Sequence, residues 1–479
     1  MLNIQLKNVT LLLCGCFLCA QDLSIVQDSI VLSEVTVSIA RLKNPKNLIS
    51  QSFSLQQIDE QYAHLQELHL GDYVGNIPGL FVSNTHNYAQ DARISIRGFG
   101  ARSPFGIRGI RVVVDGIPET TPDGQSQVDN INVEILDRIE VLRGVASVLY
   151  GNASGGVIQL QTLEDISKNF LRVGTSLGAF DTQKYQLQGG VVSKNTSYIF
   201  HGSQTQSNGY RDFSGFKSQN ANLKIVKRLS SDESLRFVAN YVYSPYAKDA
   251  GGLTLEEVNQ NRQQARDRNL DFNSQEKVEQ GKLGLHYTTL LANNTELEAY
   301  TFFSKRFFLG KLPYERGGYV DLNRNHMGLG VNVSKKSFKK MRWLLGIETA
   351  YQKDARKRFV NLNGLKGAQT LDQNELFSTV GVFGMLEIDL KKWLVTTGIR
   401  TDAHWIEAQN QLTDLNPSSN ILRLNAWNPT LSFHYTPNSQ WRFFGNTTSG
   451  FETPTLNELS ANPLGNAGFN STLRSQLSM

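Results

Sequence analysis

The chain has 479 residues, with 48 lysines and arginines against 43 aspartates and glutamates and a net charge of +5 at pH 7. That length exceeds one ordinary domain, and 40% apolar with 19% charged residues fits neither a disordered chain nor a helical membrane protein. Forty glycines, 16 tyrosines and 25 phenylalanines beside 5 methionines favour β-structure with many turns, and the scattered basic residues leave no footprint for nucleic acid.

Taken in chain order, Lys7 and the amino terminus precede an apolar run over residues 9–20, and Ala20-Gln21 offers a small residue at a cleavage point, the layout of an export signal. Leu13-Cys14-Gly15-Cys16 loosely resembles a lipoprotein site, which is the alternative form of processing. Cys14, Cys16 and Cys19 are the only cysteines, so the chain beyond this segment has no disulfide or thiol chemistry. Residues 30–37 have strong β-propensity but no partner nearby in sequence. The spacing of Leu55, Ile58, Tyr62, Leu65, Leu68 and Tyr73 predicts a helix over 55–76, closed by Gly75-Asn76-Ile77-Pro78-Gly79. Short strands follow at 93–97, at 111–115 running into Gly116, and at 138–143 running into Gly144. The stretch 34–161 therefore reads as a compact α+β unit.

Beyond about residue 168 the texture changes to strands of about 9–14 residues with aromatic and aliphatic side chains at every second position. Met341, Trp343, Leu345, Ile347, Thr349 and Tyr351 share one face, with Arg342, Gly346 and Glu348 on the other. Trp393, Val395, Thr397, Ile399, Thr401, Ala403 and Trp405 repeat the pattern, with a tryptophan at each end. A transmembrane β-barrel asks for these features: strands of about 9–11 residues, an apolar outer face, a polar lumen and aromatic girdles. About 13 such strands fit between residues 168 and 450, with short turns such as 230–233 alternating with long polar loops such as 244–275. No run after the signal reaches the roughly 18 apolar residues of a membrane-spanning helix.

Ser95-Ile96-Arg97-Gly98-Phe99-Gly100, Val114-Asp115-Gly116-Ile117-Pro118 and Ile139-Glu140-Val141-Leu142-Arg143-Gly144, followed by Ser147-Val148-Leu149-Tyr150-Gly151, resemble the plug of TonB-dependent outer-membrane receptors and occur in family order. Gly155-Gly156-Val157-Ile158, residues 249–255 and the run 450–459 extend the resemblance over essentially the whole exported chain. Pro122-Asp123-Gly124-Gln125 and residues 101–109 are most similar to the ferric-citrate and siderophore branch, whereas Val145 departs from the proline usual in the family. The resemblance implies an α+β plug domain followed by an antiparallel transmembrane β-barrel of the 22-stranded type. On that scheme residues 1–20 are the signal peptide, 21–40 a periplasmic segment with the TonB box, 41–164 the plug and 165–479 the barrel. A barrel of that size leaks unless something fills it, which is the physical reason for a plug. Standing alone, Gly98, Gly116 and Gly144 would read simply as tight turns.

The resemblance further implies import of a ferric chelate, siderophore or ferric citrate, across the outer membrane of a Gram-negative bacterium by energised plug movement. The implied partners are the periplasmic energising protein TonB, the chelate and outer-membrane lipid, with no nucleic acid and no cofactor. Ile30, Val31, Leu32, Ser33, Glu34, Val35, Thr36 and Val37 resemble a TonB box able to add as a strand to a sheet edge of that partner; an ordinary first plug strand is the alternative. Between Asp91 and Arg111, five arginines face one acid, a charge balance suited to an anionic ligand. Arg102, Arg108 and Gln125 fall in the expected apical loops and are the candidate ligand contacts. Arg97 and Arg143 match family arginines expected to pair with barrel carboxylates and lock the plug.

No enzyme constellation is present: the eight histidines are dispersed, no metal site is legible, and Gly-x-Ser-x-Gly, Walker and zinc patterns are missing. A passive binding barrel, a secreted β-rich domain and an importer of another nutrient are the competing readings. About 13 strands fall nine short of 22, so the sequence predicts an incomplete barrel whose open edges would oppose stable insertion in lipid.

Overall fold

A computed structural model describes residues 53–57, 68–83, 86–101, 103, 106–144, 146–337, 340–412, 419–460, 469–470 and 472–479. Residues 30–37 and Arg102 lie outside these described residues. The described part of the amino-terminal α+β region has β1 (Phe53–Gln57), β2 (Leu80–Ser83), β3 (Arg93–Ile96), β4 (Ile107–Arg108), β5 (Ile110–Val114), β6 (Ile117–Pro118), β7 (Gln125–Ser126), β8 (Leu136–Arg143) and β9 (Gly156–Thr162). Five of them form one sheet in the order β1-β8-β9-β5-β6, in which β9 runs parallel to β5 and the other neighbours are antiparallel.

Ile94, Ile96, Ile107, Ile110, Val112, Ile139, Val141, Ile158 and Leu160 form the core on and beside this sheet, each buried. Two hairpin turns in this region share one device. Arg97 and Gly98 have φ of 50° and 90°, and Asp115 and Gly116 have φ of 50° and 82°. Positive φ at both central residues is the pattern of a type I′ turn, whose twist matches that of flanking strands. Gly156 answers to a different demand: a Cβ there would stand 2.2 Å from the Leu142 carbonyl oxygen.

The helix expected over 55–76 does not take in residues 55–57 and ends at Val74. Residues 53–57 form strand β1, paired with β8, and Leu70–Val74 is the helix among the described residues of this stretch. The physical cause is tertiary: the open edge of β8 satisfies the backbone of this segment, and this outweighs a loose helical periodicity.

A 13-stranded antiparallel meander follows, comprising β10 (Phe170–Gly178), β11 (Thr182–Ser193), β12 (Thr196–Ser207), β13 (Phe216–Arg228), β14 (Glu233–Lys248), β15 (Gln275–Leu291), β16 (Thr295–Lys311), β17 (Tyr319–Ser337), β18 (Met341–Leu362), β19 (Leu365–Leu390), β20 (Trp393–Asn410), β21 (Ser419–Tyr435) and β22 (Phe443–Thr448). Each strand pairs with its sequence neighbours, so β10 and β22 stand at the two ends of the sheet. A short hairpin of β23 (Gly450–Glu452) with β24 (Gln476–Ser478) comes last.

Side chains alternate as the sequence predicts. Leu345 and Ile347 are 57% and 48% exposed, while Leu344 just before them and Glu348 just after are buried at 2% and 6%. The connections 194–195, 229–232, 292–294 and 391–392 are short, whereas 208–215, 249–274 and 312–318 at the opposite end are longer. By the rule for outer-membrane barrels, the second end is the outer one. The loop 249–274 carries two short helices, Leu255–Gln260 and Asp267–Asp271. Strands β18 and β19, with 22 and 26 residues, exceed the expected 9–14. They do so because Asn363 and Gly364, at φ of 48° and 88°, turn the chain directly and no loop interrupts the hairpin.

Candidate functional site

The lumen face of the wall grips the plug with one basic side chain from each of six consecutive strands. Lys184 on β11 stands 2.9 Å from Glu134, and His201 on β12 is 3.1 Å from the same carboxylate and 2.9 Å from Asn132. Lys224 on β13 is 2.9 Å from Asp115 and donates to the Thr162 carbonyl. Arg236 on β14 pairs with Glu164 at 2.6 Å, just after β9. Lys282 on β15 pairs with Glu119 and donates to the Pro118 carbonyl. Arg306 on β16 holds Asp129 through two hydrogen bonds of 3.1 and 2.6 Å. Paired geometry of this kind offsets the cost of taking both charges out of water.

The plug carboxylates record these partners. Burial alone would raise the Asp115 carboxyl, but Lys224, Arg236 and the hydrogen bonds from Thr162 outweigh it and hold the group below the usual aspartate range. Glu134 follows the same logic: burial acts upward, and the bonds from His201 and Lys184 bring it down to about 2. Asp91 goes the other way. Burial first, and then the neighbouring Asp129 charge, push it up to about 8 against the opposing pull of Arg306.

On β17–β20 the lumen charges are largely satisfied within the wall itself. Arg324 pairs with Asp354 at 2.8 and 2.6 Å, Arg356 with Glu375 at 2.9 Å, and Arg400 with Asp402 at 2.9 Å. Contacts to the plug on this side are longer, with Arg111 to Glu348 at 3.7 Å and Arg400 to the Leu149 carbonyl at 3.4 Å.

The outer end adds two further attachments. Asn87 and Gln90 of the plug donate to the two carboxylate oxygens of Asp249 at 3.0 and 3.2 Å, and Tyr88 stacks on Phe216 with ring centroids 3.4 Å apart. Arg211 donates to the carbonyls of Ala250, Gly251 and Gln264, tying loop 208–215 to loop 249–274. Beneath them a cavity of about 120 Å³ lies between plug and wall, lined by His69, Tyr88, Asp91, Asp129, Lys184 and Glu276 among others. The second attachment is the segment after β22. Phe451, Thr453 and Leu456 are fully buried in it; Thr453 accepts from Asn152 at 2.8 Å, Glu452 accepts from Ser154, and the Leu456 amide donates to Asp123.

Among the residues singled out from sequence, Arg108 and Gln125 become direct backbone partners on β4 and β7. Arg108 is 4% exposed, paired with Glu458 and bonded at 2.9 Å to the Thr453 carbonyl, so its guanidinium faces the 450–460 segment. Gln125 is half-buried beside it. Arg97 and Arg143 converge on Gly79, where a Cβ would stand 3.8 and 3.9 Å from their side chains. Arg143 also donates to the Pro78 carbonyl at 2.6 Å. The plug acids Asp115, Glu119, Asp129 and Glu134 escaped sequence reasoning, as did their basic partners. The available signal was a base recurring on the lumen face of each strand from β11 to β16.

A plug of this topology packed against an antiparallel wall with an apolar outer face defines a plugged outer-membrane β-barrel. The chain belongs to the TonB-dependent receptor family: residues 47–157 match the TonB-dependent Receptor Plug Domain and residues 162–478 the TonB dependent receptor-like, beta-barrel family. Among curated relatives, it is 28% identical to the Vitamin B12 transporter BtuB of Vibrio vulnificus (strain CMCP6) over 169 residues, which cover 33% of this chain and 26% of the relative. It is 34% identical to the Hemin receptor of Yersinia enterocolitica over 95 residues, covering 19% and 13%. The fold is that of the ferric citrate transporter FecA in its unliganded form, with a TM-score of 0.74 at 19% identity, covering 88% of this chain and 66% of that one. The siderophore receptor PiuA from Acinetobacter baumannii gives 0.67 at 14% identity, covering 89% and 68%. The chain thus spans about a quarter of the B12 transporter's length in the matched part and 66% of the ferric citrate transporter's.

Proposed function

We propose that this chain supplies the plug and 13 wall strands of an energised importer that carries a ferric chelate, a siderophore or ferric citrate, across the outer membrane of a Gram-negative bacterium. The observation that carries the reading is the plug held in the lumen by discrete ion pairs rather than by one continuous apolar core. Such pairs can be broken one after another by a pull and remade afterwards, whereas a fused core would resist as a unit. The pull comes from a periplasmic partner of TonB type, which takes residues 30–37 as an added strand. The chelate meets the basic apical region, with Arg102, Gln125 and Arg108 as candidate contacts, the last after Glu458 yields. Arg97 and Arg143 are proposed to brace the plug from the loop at Gly79. No covalent chemistry is involved.

Removal of residues 30–37 tests this reading. Energised uptake should be lost while surface binding of the chelate stays within a few fold of the parent, because strand addition supplies the pull and not the affinity. Uptake of radiolabelled iron by deletion cells, with binding measured on de-energised cells, reads both quantities. Undiminished uptake would refute the partner's role, and growth of a deletion strain on single iron sources identifies the chelate.

A further inference from the structure

On the outward face of β16, β17 and β18, the residues in register read in rows from the short-turn end. They are Leu297–Val333–Leu345, Ala299–Val331–Ile347, Thr301–Leu329–Thr349 and Phe303–Met327–Tyr351, then Lys305–Asn325–Lys353. From Trp343 to Lys353 is ten residues of strand, roughly 33 Å at about 3.3 Å each, which a tilt of about 40° turns into roughly 25 Å of height, that of an apolar band in an outer-membrane barrel. The Lys–Asn–Lys row is therefore the first polar row beyond the hydrocarbon, at the outer end. Because it rests on the outward face being lipid-facing, it shares that premise with the proposed function.

Charge distinguishes this row from the others above it. Lys357 stands 3.5 Å from Asp372 and Lys366 stands 3.9 Å from Asp321, so those lysines are neutralised within the protein. Lys305 and Lys353 form no ion pair among the described residues. The next row, Phe307–Asn323–Ala355, holds no acid, and Glu279 on the adjoining β15 accepts the Tyr241 hydroxyl at 3.0 Å. Lys305 lies over the Phe307 ring at 4.9 Å, which steadies its stem along the sheet. Two strand spacings put the Lys305 and Lys353 backbones roughly 10 Å apart, a gap that two four-carbon stems close easily. Asn325 between them adds an amide donor.

We infer that Lys305, Asn325 and Lys353 form a site for the phosphate of an anionic outer-leaflet lipid, whose acyl chains lie against the Phe303–Met327–Tyr351 row. Two ammonium groups and an amide match a phosphate monoester in charge and donor number, and the apolar row beneath favours a lipid over a free ion.

The test uses the full chain purified in a neutral detergent and incubated separately with diphosphorylated lipid A, with its dephosphorylated form and with inorganic phosphate. Native mass spectrometry counts the retained lipid. The parent should retain the phosphorylated lipid about tenfold more tightly than Lys305→Gln/Lys353→Gln, in line with the loss of charged hydrogen bonds. Lys305→Arg/Lys353→Arg should retain it, as should the control Lys357→Gln/Lys366→Gln, and the dephosphorylated lipid should not distinguish parent from variant. Equal retention by the parent and the glutamine variant overturns the site, and displacement by millimolar inorganic phosphate overturns the lipid assignment. Flotation of the parent with neutral phosphatidylcholine vesicles checks the lipid-facing premise separately. A parent that does not float refutes that premise, whatever the lipid counts are.

Discussion

Asp91 and Glu134 belong to the same plug and both face the same cavity, yet their environments drive them in opposite directions. Glu134 is depressed from 4.5 to about 2 by His201 and Lys184 acting against burial, so its contribution to stability is fully present above about 4.5 and is lost as pH falls towards 2. Asp91 is raised from 3.8 to about 8 by burial and Asp129, so the folded plug binds a proton that the unfolded chain releases. Stability from this group is highest below 3.8 and declines as pH climbs to about 8. The two acids give the plug a stability optimum between these limbs. Asp91→Asn should flatten the alkaline limb and leave the acid limb, and Glu134→Gln should do the reverse, in denaturant midpoints measured across pH. An unchanged alkaline limb in the asparagine variant would show that Asp91 is not the group responsible.

At the scale of the element, each of β11 to β16 contributes one base to the plug, and the partners lie on turns and strand ends. Asp115 shows why. The type I′ turn between β5 and β6 sets its carboxylate to accept from Thr162 at the end of β9, where Lys224 on β13 reaches it at 2.9 Å. Lys224→Met leaves that carboxylate buried without its nearest charge, a change that costs about 3–5 kcal/mol in comparable buried pairs. The double variant Lys224→Met/Asp115→Asn should recover much of this loss, because it removes the unpaired charge along with the pair. The transition can be followed through a fluorophore on a single engineered cysteine in the plug, since the chain beyond residue 19 has no cysteine of its own. A double variant no more stable than the single one would mean that the contact is one of packing and not of charge.

For the whole molecule, the division between faces governs where a charge is tolerated. Ile347 sits at the middle of the outward apolar rows and is 48% exposed, while Glu348, the next residue, is 6% exposed on the lumen side. Ile347→Arg should therefore make insertion less favourable by about 2–4 kcal/mol, the cost of a guanidinium near the bilayer midplane. The same substitution at Tyr319, near the outer end of β17, should cost about 0–1 kcal/mol. Urea titrations of protein inserted in vesicles read the difference, and equal costs at the two positions would contradict a lipid-facing band.

Period-two alternation over β10 to β22 and the Asp-Gly and Arg-Gly turn signals were legible in the residues, whereas only Trp393 of the two tryptophans expected at strand ends stands at one, because β20 runs on past Trp405 to Asn410. Each depends on backbone geometry within one strand or one turn, and that information is local. The short motifs carried the family for the same reason, since Gly156 answers to a close approach and Gly116 to a positive φ, whatever surrounds them. The start of the predicted helix was lost because residues 53–57 take their hydrogen bonds from β8, more than 80 positions away. The grip on the plug was likewise invisible: Lys224 and Asp115 are separated by 109 positions and Arg306 and Asp129 by 177. Nothing in a linear pattern states which lumen-facing base will meet which turn. The sequence by itself determined strand, turn and face, because these follow from alternation and backbone conformation. Only the tertiary structure decided which charges are spent on one another, because burial and pairing in a low-dielectric lumen depend on distances that the chain acquires on folding.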